Sequence, residues 1–201
     1  AITIGGKAGK QIAAEGYSLS ITPKRIDICA STETGAFYAV QTLLQITHLG
    51  SLRTIECCTI ADAPRFPYRG LHFDVSRHFF SKEFLLKQID AMALLKLNRM
   101  HLHLTDAAGW RLQIDGYPRL TSFAAWRPAE TWQDWCKCET KYCNQDDADA
   151  HGGFYTKDDI RQILAYAQAR HITVIPEIEM PGHSEEVLAA YPELSCKGDG
   201  L

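Results

Sequence analysis

Two carboxylates and a histidine lie close together in the stretch PEIEMPGHS, residues 176–184. Glu177, Glu179 and His183 follow the apolar run HITVI, which is typical of a buried strand. Carboxylate and imidazole groups are the usual acids and bases of enzymes, and both also bind metal ions. A strand that ends in such a group predicts a catalytic or binding site at its carboxyl end.

Two earlier strand-like segments also end in charged residues. GLHFDVS, residues 70–76, is followed by Arg77 and His78, and RMHLHLT, residues 99–105, is followed by Asp106. Taken singly, each residue has an ordinary structural explanation, such as a surface ion pair for the arginine or a turn cap for the aspartate. Charged groups at three successive strand ends favour a shared functional edge.

A metal site is an alternative use of the same region. His101 and His103 project from one strand face. Together with Glu177, Glu179 and His183 they could bind the metal ion of a metal-dependent hydrolase. The position of His103, three residues before Asp106 and deeper in the strand, argues against it.

Strands and helices alternate from Gly70 onward, which predicts a parallel sheet with right-handed crossovers. Helices are predicted over 82–98, 157–170 and 185–191, with Ser81, Thr156 and Ser184 as N-caps and Asp159 completing a capping box with Thr156. Residues from Asp106 to about Tyr155 are predicted to be largely irregular.

The strands favour a (β/α)₈ barrel over an open doubly wound sheet. Strands of an open parallel sheet are apolar on both faces, whereas the first two strands here each keep one polar face. No glycine-rich phosphate loop follows any strand. A complete barrel needs about 250 residues, so the chain after Pro64 suffices for about half of one, with its active site at the carboxyl ends of the strands.

The residues before this barrel predict part of a small α/β domain, residues 1–62. Its predicted elements are strands over 17–22, 25–30 and 54–60, with a turn at Pro23-Lys24, and a helix over 34–48 capped by Thr34. The proline-rich stretch ADAPRFPYRG then predicts a boundary, after which residues 63–201 form the barrel part.

Composition excludes several classes of function. The net charge is −3 and there is no run of lysine or arginine, which argues against a nucleic-acid partner. No apolar segment is long enough to span a membrane, so no membrane partner is expected. Hydrophobic residues make up 46% of the chain, which argues against disorder.

Cysteines and tryptophans cluster in the irregular segment. Cys136, Cys138 and Cys143, with His151 further on, lack the spacing of a zinc knuckle, and we expect a disulfide or free surface thiols there. Four tryptophans lie in or near this segment and could stack on sugar rings: Trp110, Trp126, Trp132 and Trp135. We expect at least two of them to pack the loops onto the barrel instead.

An ordered set of motifs resembles glycoside hydrolase family 20, the β-N-acetylhexosaminidases. The resemblance runs from about Glu15 to Cys196 and includes the segments EGYSLSIT, GAFYAVQTLLQI, APRFPYRGLHFDVSRHFF, LLKLNRMHLHLTD, GWR, YPRLT, GGFYT and HITVIPEIEMPGHS.

The resemblance implies a role for individual residues. Arg77 matches an arginine that binds hydroxyls of the terminal N-acetylhexosamine. Asp106 and His183 match residues that support the general acid through hydrogen bonds, and Glu179 matches an acidic residue, commonly Asp, beside that histidine. Neither a metal nor an organic cofactor is implied. The implied ligands are glycans that end in N-acetylhexosamine.

Family members use substrate-assisted catalysis, an exception to the scheme with two enzyme carboxylates. The acid and the carboxylate that orients the acetamido group lie in a Gly-Gly-Asp-Glu-like motif after the fourth strand, and this sequence contains no such motif. Ala107 also stands where relatives often carry a second acid. We therefore expect an internal piece of a hexosaminidase, inactive alone.

Other functions stay open at this point. A natural chain ending at Leu201 could bind sugar without cleaving it, and its unpaired strand edges would then require a second chain to complete the barrel. The resemblance suggests a periplasmic, secreted or lysosomal setting, although no residue shows one.

Overall fold

The computed structural model of the protein describes residues 1–9, 11–48, 51 and 54–198, which form two units. One unit contains Ala1–Gly70, Ile89–Asn98 and Arg170–Ile172. The other contains Leu71–Gln88, Arg99–Ala169 and the segment from Thr173 onward.

The amino-terminal residues build a mixed sheet with one long helix. Its elements are β1 (Ile2–Ile4), α1 (Gly6–Gly9), β2 (Tyr17–Ile21), β3 (Ile26–Ala30), α2 (Glu33–Ile46) and β4 (Cys58–Asp62). The strand order is β1-β3-β2-β4, with β1 parallel to β3 and the other pairs antiparallel. Alternate residues of β2 and β3 pack against α2, so that Leu19, Ala30 and Tyr38 are completely buried.

Two predictions for this sheet are wrong in detail. The cap of α2 is Thr32, whose side chain accepts the backbone N–H of Gly35, whereas the Thr34 hydroxyl lies 3.0 Å from His171 Nδ1. The last strand runs from Cys58 to Asp62 rather than over 54–60. The reason is its register with β2, which pairs Tyr17 with Asp62 and Ile21 with Cys58.

The remaining chain forms a three-stranded sheet with helical crossovers and a long insertion. Its elements are β5 (Gly70–Asp74), α3 (Lys82–Leu94), β6 (Arg99–His103), β7 (Thr105–Asp106), β8 (Gly109–Trp110), α4 (Arg119–Ser122), β9 (Trp126–Arg127), α5 (Trp132–Lys137), β10 (His151–Gly152), α6 (Lys157–Gln168), β11 (Thr173–Glu177), α7 (Glu185–Ala190) and a 3₁₀ turn, Pro192–Leu194. The strand order is β11-β6-β5, and β6 and β11 are parallel. Their register places Glu177 beside His103.

The two faces of β6 differ as the sequence predicts. Met100, Leu102 and Leu104 are buried on one face, and the helix α6 covers the same apolar surface through Ile163. His103 and its neighbour His101 lie on the opposite face. This polar face is the side on which the candidate site is built.

Helix boundaries show where local signals hold and where they fail. Ser81 caps α3, accepting the backbone N–H of Phe84 at 3.2 Å. The helix ends at Leu94, earlier than predicted, because Lys96 adopts φ of 57° and the N–H of Leu97 bonds back to Met92. At α7, Ser184 occupies the cap position without a capping bond, since its hydroxyl donates to the carbonyls of Glu179 and Gly182.

Within the described ranges of the chain, no helix combines the length and apolar character that a membrane crossing requires.

The capping box of α6 gives a direct test of the fold. Thr156 accepts the Asp159 N–H while the Asp159 carboxylate accepts the Thr156 N–H. Thr156→Ala is expected to lower the free energy of unfolding by about 1 kcal/mol in urea denaturation, because one N–H of the first turn loses its partner. Thr156→Ser keeps the acceptor oxygen, so its free energy of unfolding should stay close to that of the wild type. Equal effects of the two substitutions would contradict the cap.

Candidate active site

The centre of the site is the buried carboxylate of Asp106. This residue is 2% exposed and lies directly after β6, in the short strand β7. Its Oδ2 lies 2.6 Å from Arg77 Nη2 and 3.0 Å from His103 Nε2. Its Oδ1 accepts the Ala107 N–H at 2.8 Å and lies 3.3 Å from His183 Nδ1. One carboxylate therefore holds side chains from all three strand ends.

Arg77 is aimed at Asp106 by a turn at the end of β5. Asp74 Oδ1 accepts the backbone N–H groups of Ser76 and Arg77, both at 3.0 Å. Asp74 Oδ2 then accepts from Arg77 Nη1 at 2.8 Å. The arginine side chain is 37% exposed, so part of its guanidinium stays accessible to a ligand.

His103 connects Asp106 to Glu177. Its Nδ1 lies 2.8 Å from Glu177 Oε2, and its Nε2 faces Asp106. Burial alone would lower the pKa of His103, but its bonds to Glu177 and Asp106 outweigh that effect and raise it. The contact with His103 lowers the pKa of Glu177 to about 2 against the opposing effect of burial. Glu177 is therefore ionised at any pH near neutrality.

His183 reaches Asp106 from a strained backbone position. Its φ is 55°, a left-handed conformation that is uncommon for residues other than glycine. The side chain is 61% exposed while its Nδ1 faces Asp106. Strain of this kind is often found at functional sites.

The structure groups three of the four predicted site residues. Arg77, Asp106 and His183 meet as expected. Glu179 is placed differently: its backbone N–H donates to Thr105 Oγ1 at 2.9 Å. Among the described residues, no contact joins the Glu179 side chain to His183 or Asp106.

One group of side chains could hold a metal ion, but its residues differ from those that the sequence predicts. His72, His103 and Glu177 offer ligand atoms that lie within 4.8 Å of one another. His101 Nε2 lies 2.7 Å from the same Glu177 oxygen. The four side chains thus already form contacts among themselves, and neither Glu179 nor His183 belongs to the group in the described part of the chain.

Other residues singled out in the sequence have structural surroundings. Trp110 and Trp135 are buried, which confirms that at least two tryptophans pack the loops, while Trp132 is 37% exposed. Cys136, Cys138 and Cys143 are free thiols, and Cys143 is buried rather than on the surface.

Glu186 is a residue of the site region that the sequence did not single out. It is completely buried on α7, and neither carboxylate oxygen has a hydrogen-bond partner among the described residues. Burial, with smaller contributions from the charges of Glu185 and Asp106, raises its pKa to about 8. Its local sequence contained no signal, because the burial of Ala190, four residues on along the same helix face, is itself known only from the structure.

Comparison with known proteins covers nearly the whole chain. Residues 66–200 match the model of glycosyl hydrolase family 20, catalytic domain, and residues 1–63 match that of glycosyl hydrolase family 20, domain 2. A beta-hexosaminidase of Porphyromonas gingivalis is 41% identical over 98% of this chain and 24% of its own length. A beta-hexosaminidase of Akkermansia muciniphila is 41% identical over 90% of this chain and 34% of its own length. The chain thus spans about a quarter to a third of these relatives.

Solved structures give the same result. A GH20 exo-beta-N-acetylglucosaminidase from Vibrio harveyi in complex with N-acetylglucosamine matches 96% of this chain and 29% of its own, with a TM-score of 0.78 and 35% identity. A beta-N-acetylhexosaminidase from Bacteroides fragilis matches 97% of this chain and 36% of its own, with a TM-score of 0.77 and 35% identity. The predicted fold class, the first part of a (β/α)₈ barrel preceded by part of an α/β domain, is confirmed.

Glu186 generates a prediction about pH. An unfolded glutamate loses its proton near pH 4.5, whereas folded Glu186 keeps it to about pH 8. The unfolded state therefore binds fewer protons between these values, and stability is lost as pH rises through this window. Glu186→Gln should flatten that dependence and stabilise the protein at pH 7, by a few kcal/mol at the largest.

The measurement is urea denaturation at several pH values. Glu193→Gln, at an exposed position of the 3₁₀ turn, is the matched control and should leave the slope nearly unchanged. Parallel curves for wild type and Glu186→Gln would contradict the assignment of a neutral buried acid.

Proposed function

The chain belongs to glycosyl hydrolase family 20, and from this membership we propose that it is part of a β-N-acetylhexosaminidase. The protein would hydrolyse terminal β-linked N-acetylglucosamine or N-acetylgalactosamine from glycans. The observation that carries the proposal is the buried Asp106 carboxylate, which gathers Arg77, His103 and His183 at the carboxyl ends of the strands.

Arg77 is proposed to bind the hydroxyl groups of the terminal sugar. Its guanidinium is fixed by Asp74 and Asp106 and remains 37% exposed. A cation held by two carboxylates keeps one orientation, and a partly exposed one can still donate to a sugar oxygen. Binding at this position would set the distance between the sugar and the rest of the site.

Asp106 and His183 are proposed to support the general acid as positioning residues. The carboxylate of Asp106 orients the His183 ring, whose other nitrogen is then available to a further group. A negative charge near an acid raises the pKa of that acid and keeps its proton available near neutral pH. Glu179 is assigned to the same network as a more distant member, because its backbone N–H holds the hydroxyl of Thr105, the residue before Asp106.

The chemical step itself is proposed to be substrate-assisted. The acetamido oxygen of the sugar attacks the anomeric carbon while an enzyme acid protonates the leaving oxygen. In the family, an Asp-Glu pair orients the acetamido group and supplies this proton, and these 201 residues contain no Gly-Gly-Asp-Glu-like motif. The residues of this chain would therefore bind and position the sugar.

The proposed division of the chain follows the same reasoning. Residues 1–62 would be part of the non-catalytic α/β domain, and residues 63–201 the first three β/α units of the barrel. The division is supported by the two family matches, which meet between residues 63 and 66.

Asp106→Asn tests the positioning role in the protein that carries this chain together with the catalytic pair. The amide keeps the shape but removes the charge, so the pKa of the general acid should fall. The alkaline limb of the pH–rate profile should therefore move to lower pH, and kcat/KM should fall by about a hundredfold.

The control for this substitution is Asp115→Asn. Asp115 is a surface residue, with a side chain 83% exposed, and its replacement should leave the profile unchanged. If the profile of Asp106→Asn also stays unchanged while the protein remains folded, Asp106 has only a structural role.

A second test uses the 201-residue chain by itself. We expect no turnover of a chromogenic β-N-acetylglucosaminide at mildly acidic or neutral pH, because the proton donor is absent. N-acetylglucosamine should nevertheless shift the NMR signals of the residues around Arg77, and Arg77→Ala should abolish those shifts. Detectable turnover by the pure chain would contradict the assignment of the acid to another segment.

A further inference from the structure

Arg127 is a buried cation without a carboxylate partner. It is 3% exposed, and within the described ranges no acidic side chain lies at ion-pair distance from it. Its Nε donates to the Ala129 carbonyl at 2.9 Å, and its Nη2 donates to the carbonyls of Arg77 and Glu130 at 2.9 and 2.8 Å. Its Nη1 is buried and has no hydrogen-bond partner among the described residues.

A second buried cation, Arg111, lies near the first. It is 1% exposed, and in the described part of the chain its guanidinium donates only to backbone carbonyls, those of Val75, Ser76, Ala125 and Gly153. Burial, followed by the positive charge of Arg127, lowers the pKa of Arg111 to about 9, so it stays charged at neutral pH. Two like charges are thus buried near one another. Among the described residues their hydrogen-bond acceptors are backbone carbonyls, and the rings of Phe79 and Trp135 lie 5.8 and 6.0 Å from the guanidinium carbons of Arg111 and Arg127.

Both arginines line one cavity of about 130 Å³. His78 and His151 line the same cavity and add ring nitrogens that can donate hydrogen bonds. Glu130 also lines the cavity, and this residue is exposed to solvent. At about 30 Å³ per molecule of liquid water, the cavity has room for a small polyatomic ion with some water.

We propose that this cavity binds a small oxyanion, with Arg127 Nη1 as the buried donor and His78 and His151 as further donors. A buried charge is costly unless it is paired, and an unpartnered N–H in a polar cavity is a donor without an acceptor. An anion supplies both the missing charge and the missing acceptor. Guanidinium and imidazole groups are the side chains that most often bind oxyanions.

The site would also stabilise the backbone next to Arg77. Arg127 Nη2 holds the Arg77 carbonyl, and Arg111 holds the carbonyls of Val75 and Ser76. Charge neutralisation by an anion removes the repulsion between the two guanidinium groups, so both can keep these bonds. The inference goes beyond the proposed hydrolase function and does not depend on it.

The test is calorimetric titration of the 201-residue chain with sodium sulfate and sodium phosphate, at an ionic strength held constant with sodium chloride. We expect one saturable site. Arg127→Lys should abolish binding, because lysine cannot hold the three carbonyls and also reach the anion. His78→Gln and His151→Gln should each weaken affinity by about tenfold, the effect of losing one charge-assisted bond.

A matched control keeps the result interpretable if Arg127→Lys fails to fold. His48→Gln removes an exposed histidine outside the cavity and should not change the affinity. If binding is not saturable, or if the three histidine variants bind equally well, the proposal is overturned. If sulfate binds and only the two cavity histidines matter, it is supported.

The source of the oxyanion is distinguished by a second titration. If sulfated N-acetylglucosamine binds with higher affinity than inorganic sulfate, and if His78→Gln removes that difference in affinity, the ligand is a sulfate carried by a sugar. Equal affinity of the two would identify a free anion. Either result supports the site, and neither requires catalytic turnover.

Discussion

The burial of the Asp106 carboxylate is the constraint on which the candidate site depends. A carboxylate removed from water costs several kcal/mol unless charged donors surround it. Here those donors are Arg77 from the end of β5, His103 from β6 and His183 from the segment after β11. Because no single strand could supply all three, the charge is tolerated only when the three strand ends are in place. The same requirement positions the groups that would meet a sugar.

A second buried charge, that of Arg111, fixes the backbone next to Arg77. The guanidinium of Arg111 binds carbonyls from the end of β5 and from both sides of the insertion, at Ala125 and Gly153. This packing is close: a Cβ on Gly109 would lie 2.6 Å from the Arg111 guanidinium carbon. Gly109 is thus required by the approach of a side chain, and the insertion is held by hydrogen bonds rather than by regular secondary structure.

Local patterns predicted the parts of the fold that depend on neighbouring residues. The alternation in β6 and the capping box of α6 involve residues one to three positions apart, so the sequence contains the whole signal. The burial of Glu186 and the location of Glu179 depend on segments distant in sequence. EEVLAA has the composition of an exposed helix start, and only its packing shows that one of its two glutamates faces inward. The grouping of Arg77, Asp106 and His183 was predictable because parallel strands end at one edge.

Three arginines of this region show why residue type alone does not define a role. Arg77 contacts two carboxylates and stays 37% exposed, so it can exchange a water contact for a ligand. Arg111 has no access to solvent, and its donors are used by carbonyls. Arg127 is buried like Arg111 and also donates to carbonyls, but its Nη1 has no acceptor among the described residues. A guanidinium with satisfied donors is structural, one with exposed donors can recognise a ligand, and one with a buried free donor, as at Arg127, can bind the oxyanion that we propose.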